Sequence, residues 1–276
     1  MTRSWTIEDA GRVLRVPTAA DDKYSRGVLG MRTGSEAYPG AAVLGVEAAW
    51  RTGLGMVRYL GPVRPTALVL ARRPETVTAE GRVQAWVVGS GTETASRVRA
   101  ETDTVRGILA DTDPVVVDAG ALDLASSASA PRILTPHERE HARLRAALGL
   151  GAPRGDRTAA AIETAEATGA VVLVKGAVTV VAAPDGTVIL VDAGTPWLAT
   201  AGTGDVLAGV IGALAAAAAA DDRPADPASL AALAASGAWL HGRAGVLASH
   251  ARGGGPITAL DVAEALPLAV AEALAR

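Results

Sequence analysis

This chain predicts a three-layer α/β/α fold around a mostly parallel sheet, and three observations carry that prediction. β-rich and helical stretches alternate from residue 27 to residue 191. Val115-Val116-Val117 is apolar throughout, as a strand buried on both faces is. From Gly204 onward the chain is helical and alanine-rich, which suits a packed helical layer whose small faces approach closely.

Each element has its own signal. Gly27 to Arg32 and Met56 to Leu60 read as short strands flanking a helix from Gly40 to Thr52. Val83 to Val88 is β-rich, and Glu93 to Ala110 is helical. Val115 to Val117 ends at Asp118, and Arg132 to Leu134 leads into a helix from His137 to Ala147. Ala159 to Thr168 is helical. Val171 to Val174, Thr179 to Ala182 and Val188 to Val191 are strands, the last two joined by the turn Pro184-Asp185-Gly186. The helical remainder breaks at Pro224 to Pro227 and at Gly253 to Pro256. No linker, repeat or charge block divides the sequence, so one domain is expected over residues 1–276.

Composition narrows the chemistry. With 276 residues, 49% of them hydrophobic, the chain can bury a large core. A net charge of −3 and a pI of about 5.8 argue against nucleic acid or an anionic membrane as partner. The sequence has no cysteine, which excludes disulfides, thiolate metal sites and cysteine nucleophiles. The first residues carry charge throughout and no apolar signal core, so a cytoplasmic location is expected. The longest apolar run, Val206 to Ala220, is 15 residues and mostly alanine, too short and too weakly apolar for a membrane span. Of the 26 basic residues only Lys23 and Lys175 are lysine. In so arginine-biased a chain, these two become candidates for positions that need a compact ammonium.

The most informative stretch is Ala199-Thr200-Ala201-Gly202-Thr203-Gly204-Asp205. Gly202, Thr203 and Gly204 open a helix, where unpaired N–H groups and the positive end of the dipole favour an anion. A carboxylate in an anion site makes sense if Asp205 takes a proton from a hydroxyl while the amides hold a migrating phosphoryl group. The helix end is then expected to lower the pKa of Asp205, leaving it a weak base. Thr203 or Asp205 as a plain helix cap fits the same residues. Further small or polar clusters fall after strands, where ligands of such sheets sit: Thr33 to Ala42, Gly89-Ser90-Gly91, Asp118 to Leu122 and Thr135-Pro136-His137-Glu138. In the last, Thr135 and Glu138 match a capping box with Pro136 at the first helical position. Neither GxxxxGK[ST] nor GxGxxG is present, which disfavours P-loop enzymes and Rossmann dehydrogenases.

Taken in order, the clusters resemble one family. Lys23, Gly34-Ser35 to Ala42, Arg51-Thr52-Gly53-Leu54-Gly55, Val88 to Gly91, Val117 to Leu122, Ile133 to Glu138, Val174-Lys175-Gly176 and Gly202 to Gly209 follow the pattern of the ADP-dependent NAD(P)H-hydrate dehydratases, members of the ribokinase-like superfamily. The Leu-Thr-Pro-His-Glu and Asp-Ala-Gly-Ala-Leu stretches are the more specific part. The resemblance implies a ribokinase-like fold and a repair reaction. The ring hydroxyl of the S-form of hydrated NADH or NADPH is phosphorylated by ADP, or by ATP, and phosphate is then eliminated. By the same resemblance Asp205 is the catalytic residue, and Ala41, Gly91, His137 and Asp205 contact the hydrate. Lys175, Gly176, Ala177, Val178, Thr179 and Gly204 contact the nucleotide, with Gly202, Thr203 and Gly204 as the anion hole. Mg²⁺ is implied as the phosphate counter-ion, with no metal ligand assigned among the protein side chains. A homo-oligomer, a tetramer favoured, and a functional link to a separate NAD(P)H-hydrate epimerase are also implied, because no fused epimerase domain is expected in these 276 residues. Tyr24 replaces a family glycine, Arg32 stands among usually small apolar residues, and Asp192 to Trp197 departs from the family pattern before the catalytic turn. Two other classes share parts of the pattern. One is an ATP-dependent kinase of a thiazole or pyrimidine vitamin precursor; the other is a nucleotide-binding regulator with no use for Asp205.

Overall fold

The computed structural model describes residues 2–153 and 155–276. Nine strands form one sheet: β1 (Thr2–Ser4), β2 (Val28–Arg32), β3 (Met56–Tyr59), β4 (Ala85–Val88), β5 (Val115–Val117), β6 (Arg132–Leu134), β7 (Val171–Val174), β8 (Thr179–Ala182) and β9 (Val188–Val191). Their order is β1-β9-β8-β7-β6-β5-β4-β2-β3, all neighbours parallel except that β8 runs against both β7 and β9. The helices are α1 (Ile7–Val13), α2 (Pro39–Arg51), α3 (Val63–Arg72), α4 (Arg99–Leu109), α5 (Glu138–Ala147), α6 (Arg157–Thr168), α7 (Thr203–Ala220), α8 (Pro227–His250) and α9 (Ala259–Leu274).

Strand alternation explains the layers. Val87, Val116, Ile133 and Leu173 face the core under α2, α7, α8 and α9, while Val88, Val115, Val117, Leu134 and Val172 face the core under α4, α5 and α6. Both faces are covered, so the middle strands read as unbroken apolar runs. The apolar helix α7 is the spine of the larger layer, with most of its side chains buried. Gly209 permits a contact that any side chain would forbid. A Cβ on Gly209 of α7 would stand 2.3 Å from the carbonyl oxygen of Gly45 on α2, so the two helices touch backbone to backbone.

Chain direction turns at β2, which pairs β3 on one side and β4 on the other. Crevices at the carboxyl ends of such neighbouring strands are where open α/β sheets hold ligands. The loops after β2 and β4 are tied there by the Gly34 N–H, which donates to the Ser90 carbonyl at 2.7 Å.

Four elements differ from the sequence reading. β1 with α1, and α3, have no counterpart in it. β1 is three exposed residues without alternation, and α3 carries Pro65 in its first turn, which reads as a loop. The helix expected from Glu93 begins at Arg99 instead. Residues before it are held by Arg97, whose guanidinium pairs with Asp123 at 2.6 Å.

The Gly45–Gly209 contact makes a prediction. Gly209→Ala should lower stability by about 1–3 kcal/mol, because the new methyl group meets a main-chain carbonyl that cannot give way. Gly107→Ala, on α4 with open space around its Cα, should raise stability by about 0.4–1 kcal/mol. Urea unfolding of both variants measures the two effects.

Candidate active site

Four strand ends converge on one buried carboxylate. Asp118, after β5, is 3% exposed. Ser90 Oγ, after β4, donates to its Oδ2 at 2.8 Å, and Thr135 Oγ1, after β6, donates to Oδ1 at 2.8 Å. Lys175 Nζ, after β7, donates to the same Oδ1 at 2.9 Å. The chain leaves this point through Ala119, whose φ of 43° lies in the left-handed region that a side chain disfavours.

Burial by itself lowers the pKa of Lys175. The charges of Asp118 and Glu140, the hydrogen bond to Asp118 and then the charge of Asp205 more than reverse it, so its pKa ends above the ordinary lysine value. Lys175 is a permanent cation. Its main-chain N–H donates to the Pro136 carbonyl at 2.9 Å, and an isolated bridge joins it to His137. That places the Thr135–Glu138 stretch beside the lysine.

The cap of α5 corrects the sequence reading. The reciprocal pair is His137 with Glu140, two residues later than Thr135 with Glu138. His137 Nδ1 accepts the N–H of Arg139 at 3.1 Å and of Glu140 at 3.4 Å, while Glu140 Oε2 accepts the His137 N–H at 2.8 Å. Asp118 has drawn the Thr135 hydroxyl inward, so it is not free to cap. Pro136 consequently stands outside the helix.

Gly202 enters α7 at φ 90° with no capping side chain. The Thr203 hydroxyl turns back to the carbonyls of Leu198 and Thr200 at 2.9 and 3.0 Å. Among the described residues no acceptor takes the N–H groups of Thr203, Gly204 and Asp205. A Cβ on Gly204 would lie 3.4 Å from Lys175 Nζ, so free amides and a cation face one space.

Asp205 behaves contrary to the expected weak base. Burial first, and then the charge of Asp118, push its pKa up to about 7, with Lys175 opposing. A helix end is worth about 0.3–1 kcal/mol to a carboxylate. Each pKa unit is about 1.4 kcal/mol, so the burial cost wins.

Most of the residues expected on the nucleotide side gather round one cavity of about 650 Å³. Lys175, Gly176, Ala177, Thr179, Thr203 and Gly204 line it, with Asp192 to Pro196 and Leu198 on the far wall. Val178 is 37% exposed and, like Gly202, is outside that lining. His241 lines it too, from α8. Its ring is held neutral by burial, with a pKa lowered to about 4, and its Nε2 has no partner among the described residues.

Ala41, Gly91, His137 and Asp205 stand beside this cavity rather than in its lining. Gly91 takes a φ of 66°, and a Cβ there would be 2.3 Å from that of Ala41. One turn on, a Cβ on Gly45 would come within 3.4 Å of the Asp205 carbonyl. Ala41 and Gly91 are thus in contact, α2 runs on from Ala41 to the backbone of Asp205, and His137 is bridged to Lys175.

Lys23 is elsewhere. It precedes β2, near Gly27, which abuts Ala216 at the far end of α7 from Asp205. Its ammonium lies 5.3 Å from the Tyr24 ring centre, exposed. Of the departures, Arg32 pairs with Glu101, and Trp197 Nε1 donates to the Gly254 carbonyl at 3.0 Å. The role of Asp118 as hub and the orphan nitrogen of His241 escaped the sequence reading. The Asp118 signal was present, an acidic residue closing an all-valine strand; His241 sits in an alanine-rich helix with no local mark.

Comparisons with known proteins show the family. A family model for NAD(P)H-hydrate dehydratase matches residues 29–268. A bifunctional NAD(P)H-hydrate repair enzyme of Mycobacterium tuberculosis is 49% identical over 209 residues, covering 72% of this chain and 43% of that protein. The chain thus spans under half the length of that relative. The ADP-dependent (S)-NAD(P)H-hydrate dehydratase of Neisseria meningitidis is 39% identical over 244 residues, covering 80% of this chain and 77% of its own. Among solved structures, the ADP/ATP-dependent NAD(P)H-hydrate dehydratase of Bacillus subtilis, co-crystallised with ATP and Mg²⁺, superposes with a TM-score of 0.79 at 28% identity, covering 96% of both chains. The fold is also similar to that of a solved ribokinase-like superfamily protein of Enterococcus faecalis, with a TM-score of 0.82 at 20% identity. By sequence match and by fold, the chain belongs to the NAD(P)H-hydrate dehydratase family.

Proposed function

We propose that this protein dehydrates the S-form of hydrated NADH or NADPH, using ADP or ATP as phosphoryl donor. The observation that carries the reading is the meeting of free α7 amides, the Lys175 ammonium and Asp205 at one point. An anion turn suits a transferring phosphoryl group, and a carboxylate beside it suits the proton of the attacking hydroxyl.

The chemistry runs in two steps. Asp205 accepts the proton of the ring hydroxyl as that oxygen attacks the terminal phosphorus of the donor. The bond to the bridging oxygen breaks, releasing AMP from ADP. The N–H groups of Thr203 and Gly204 hold the transferring oxygens, and Lys175 supplies a point charge to the donor phosphates. The ring nitrogen's lone pair then expels phosphate, a far better leaving group than hydroxide. Loss of a proton from the neighbouring ring carbon restores the double bond. With a pKa near 7, Asp205 is a stronger base than an ordinary carboxylate and is still largely ionised at slightly alkaline pH.

Ala41, Gly91 and His137 receive the hydrate in this scheme. The cavity walled by Lys175 to Thr179 and Asp192 to Leu198 receives the nucleotide, with His241 Nε2 free for one of its polar groups. No group of three His, Cys, Asp or Glu side chains that could cage an ion occurs among the described residues. In this scheme Mg²⁺ enters as part of the substrate, held by the nucleotide's own phosphate oxygens.

Asp205→Asn should reduce turnover by about 10²–10⁴ while ADP still binds. In the wild type, kcat/KM should fall as the pH drops through about 7, where Asp205 takes up its proton. The same variant tests the burial argument through stability. A carboxyl whose folded pKa is raised stabilises the fold only below its unfolded value, and that contribution is lost as pH rises through about 7. Asp205→Asn should accordingly be more stable than wild type at pH 8, a gain that fades towards pH 4. Full activity in the variant, or a flat pH profile, would remove Asp205 as the base.

Lys175→Ala should raise the KM for ADP by about tenfold or more and also destabilise the fold, since Asp118 is left buried without its cation. Lys175→Arg should rescue poorly, because a planar fork does not replace a point charge. Recovery of reduced-nicotinamide absorbance from a hydrate preparation, with ADP, with ATP and with neither, tests the whole reading. Recovery without nucleotide would sink it, and phosphorylation of a thiazole or pyrimidine alcohol in its place would make the protein a vitamin-precursor kinase.

A further inference from the structure

We propose that Arg157 is a positioning residue for the donor nucleotide. It gathers the carbonyls of the β7–β8 hairpin to one side and so leaves the hairpin's amides free for phosphate.

Arg157 stands in the first turn of α6, and three of its contacts go to hairpin backbone. Its Nη1 donates to the Val178 carbonyl at 2.5 Å, and Nη2 donates to the carbonyls of Val174 and Lys175 at 2.8 and 2.7 Å. Nε donates to Glu138 Oε2 at 3.0 Å. The guanidinium lies so close under the turn that a Cβ on Gly176 would be 2.5 Å from Nη2.

This is an unusual way to hold a hairpin. Hairpin turns ordinarily close on themselves, carbonyl to N–H across the loop. Here the carbonyls at both ends of residues 175–178 are spent on a side chain. Among the described residues no acceptor takes the N–H of Gly176, Ala177 or Val178. A run of main-chain N–H groups without acceptors is a nest for an anion. Gly176 and Ala177 line the 650 Å³ cavity together with Lys175, which supplies the charge.

The fork geometry explains the residue type. Three carbonyls reached by one side chain suit the fixed fork of a guanidinium, whereas a lysine ammonium is a point charge. The ion pair with Glu138 is incidental by comparison. The Glu138 side chain is 70% exposed, and exposed pairs contribute little. Arg157 reaches the substrate only through the loop it shapes, so it is not a catalytic residue.

The inference rests on reading this cavity as the donor site, and the test separates the two. ADP with Mg²⁺ is titrated calorimetrically into wild type, Arg157→Ala, Arg157→Lys and Glu138→Gln without hydrate, and both KM values are then measured. Arg157→Ala should weaken ADP binding by about tenfold or more, with the KM for hydrate changed by less than about twofold. Arg157→Lys should recover less than about half of the lost binding energy. Glu138→Gln should bind ADP like the wild type. If Arg157→Ala does not fold, Arg157→Lys decides alone. ADP affinity within about twofold of wild type in the arginine variants, or an equal rise in both KM values, would overturn the proposal. A wild-type protein that fails to bind ADP would overturn the donor-site reading itself.

Discussion

The geometry of the site depends on one buried acid. Asp118 accepts from Ser90, Thr135 and Lys175, so a single carboxylate fixes the ends of β4, β5, β6 and β7. A buried ionised group is tolerated only when it is fully paired, and here both oxygens are. The pairing has a directional effect. It orients the lysine towards the helix end of α7 and pulls Thr135 away from the helix it would otherwise cap. The neighbouring His137 then takes over the cap and is brought against Lys175.

The same acid sets the chemistry next to it. Asp205 sits near enough to feel Asp118 as a like charge and is buried enough to pay heavily for ionising. The helix end beneath it supplies free amides, yet its field is the smaller effect. Two carboxylates in one site thereby take different parts. The one with three hydrogen bonds anchors the strand ends, and the one held at higher pKa is suited to exchange a proton near neutral pH.

Much of this was legible in the residues. The parallel core strands were readable because burial on both faces leaves only apolar side chains, as in Val115 to Val117 and Val171 to Val174. The anion turn was readable because Gly202 and Gly204 stand where a helix begins. Other features depend on partners distant in sequence. β1 becomes a strand only by pairing with β9, about 186 residues away. The cap at His137 depends on a hydrogen bond that Thr135 makes to Asp118, and the proton affinity of Asp205 depends on how deeply the finished fold buries it. No local pattern encodes either. Lys23 shows the converse: a rare residue type in a biased composition, placed at the opposite end of the sheet from the site.

The contact between Gly45 and Gly209 carries a further meaning. It joins α2, which carries Ala41, to α7, which carries Asp205. The spacing between α2 and α7 is thus a ruler made of main-chain atoms at that contact, with no side chain between its marks. Side chains elsewhere on these helices can drift, and the strands behind them can be repacked, without lengthening that ruler. A single methyl group added at Gly209 would press on the main chain of α2 and push the two helices apart at that contact.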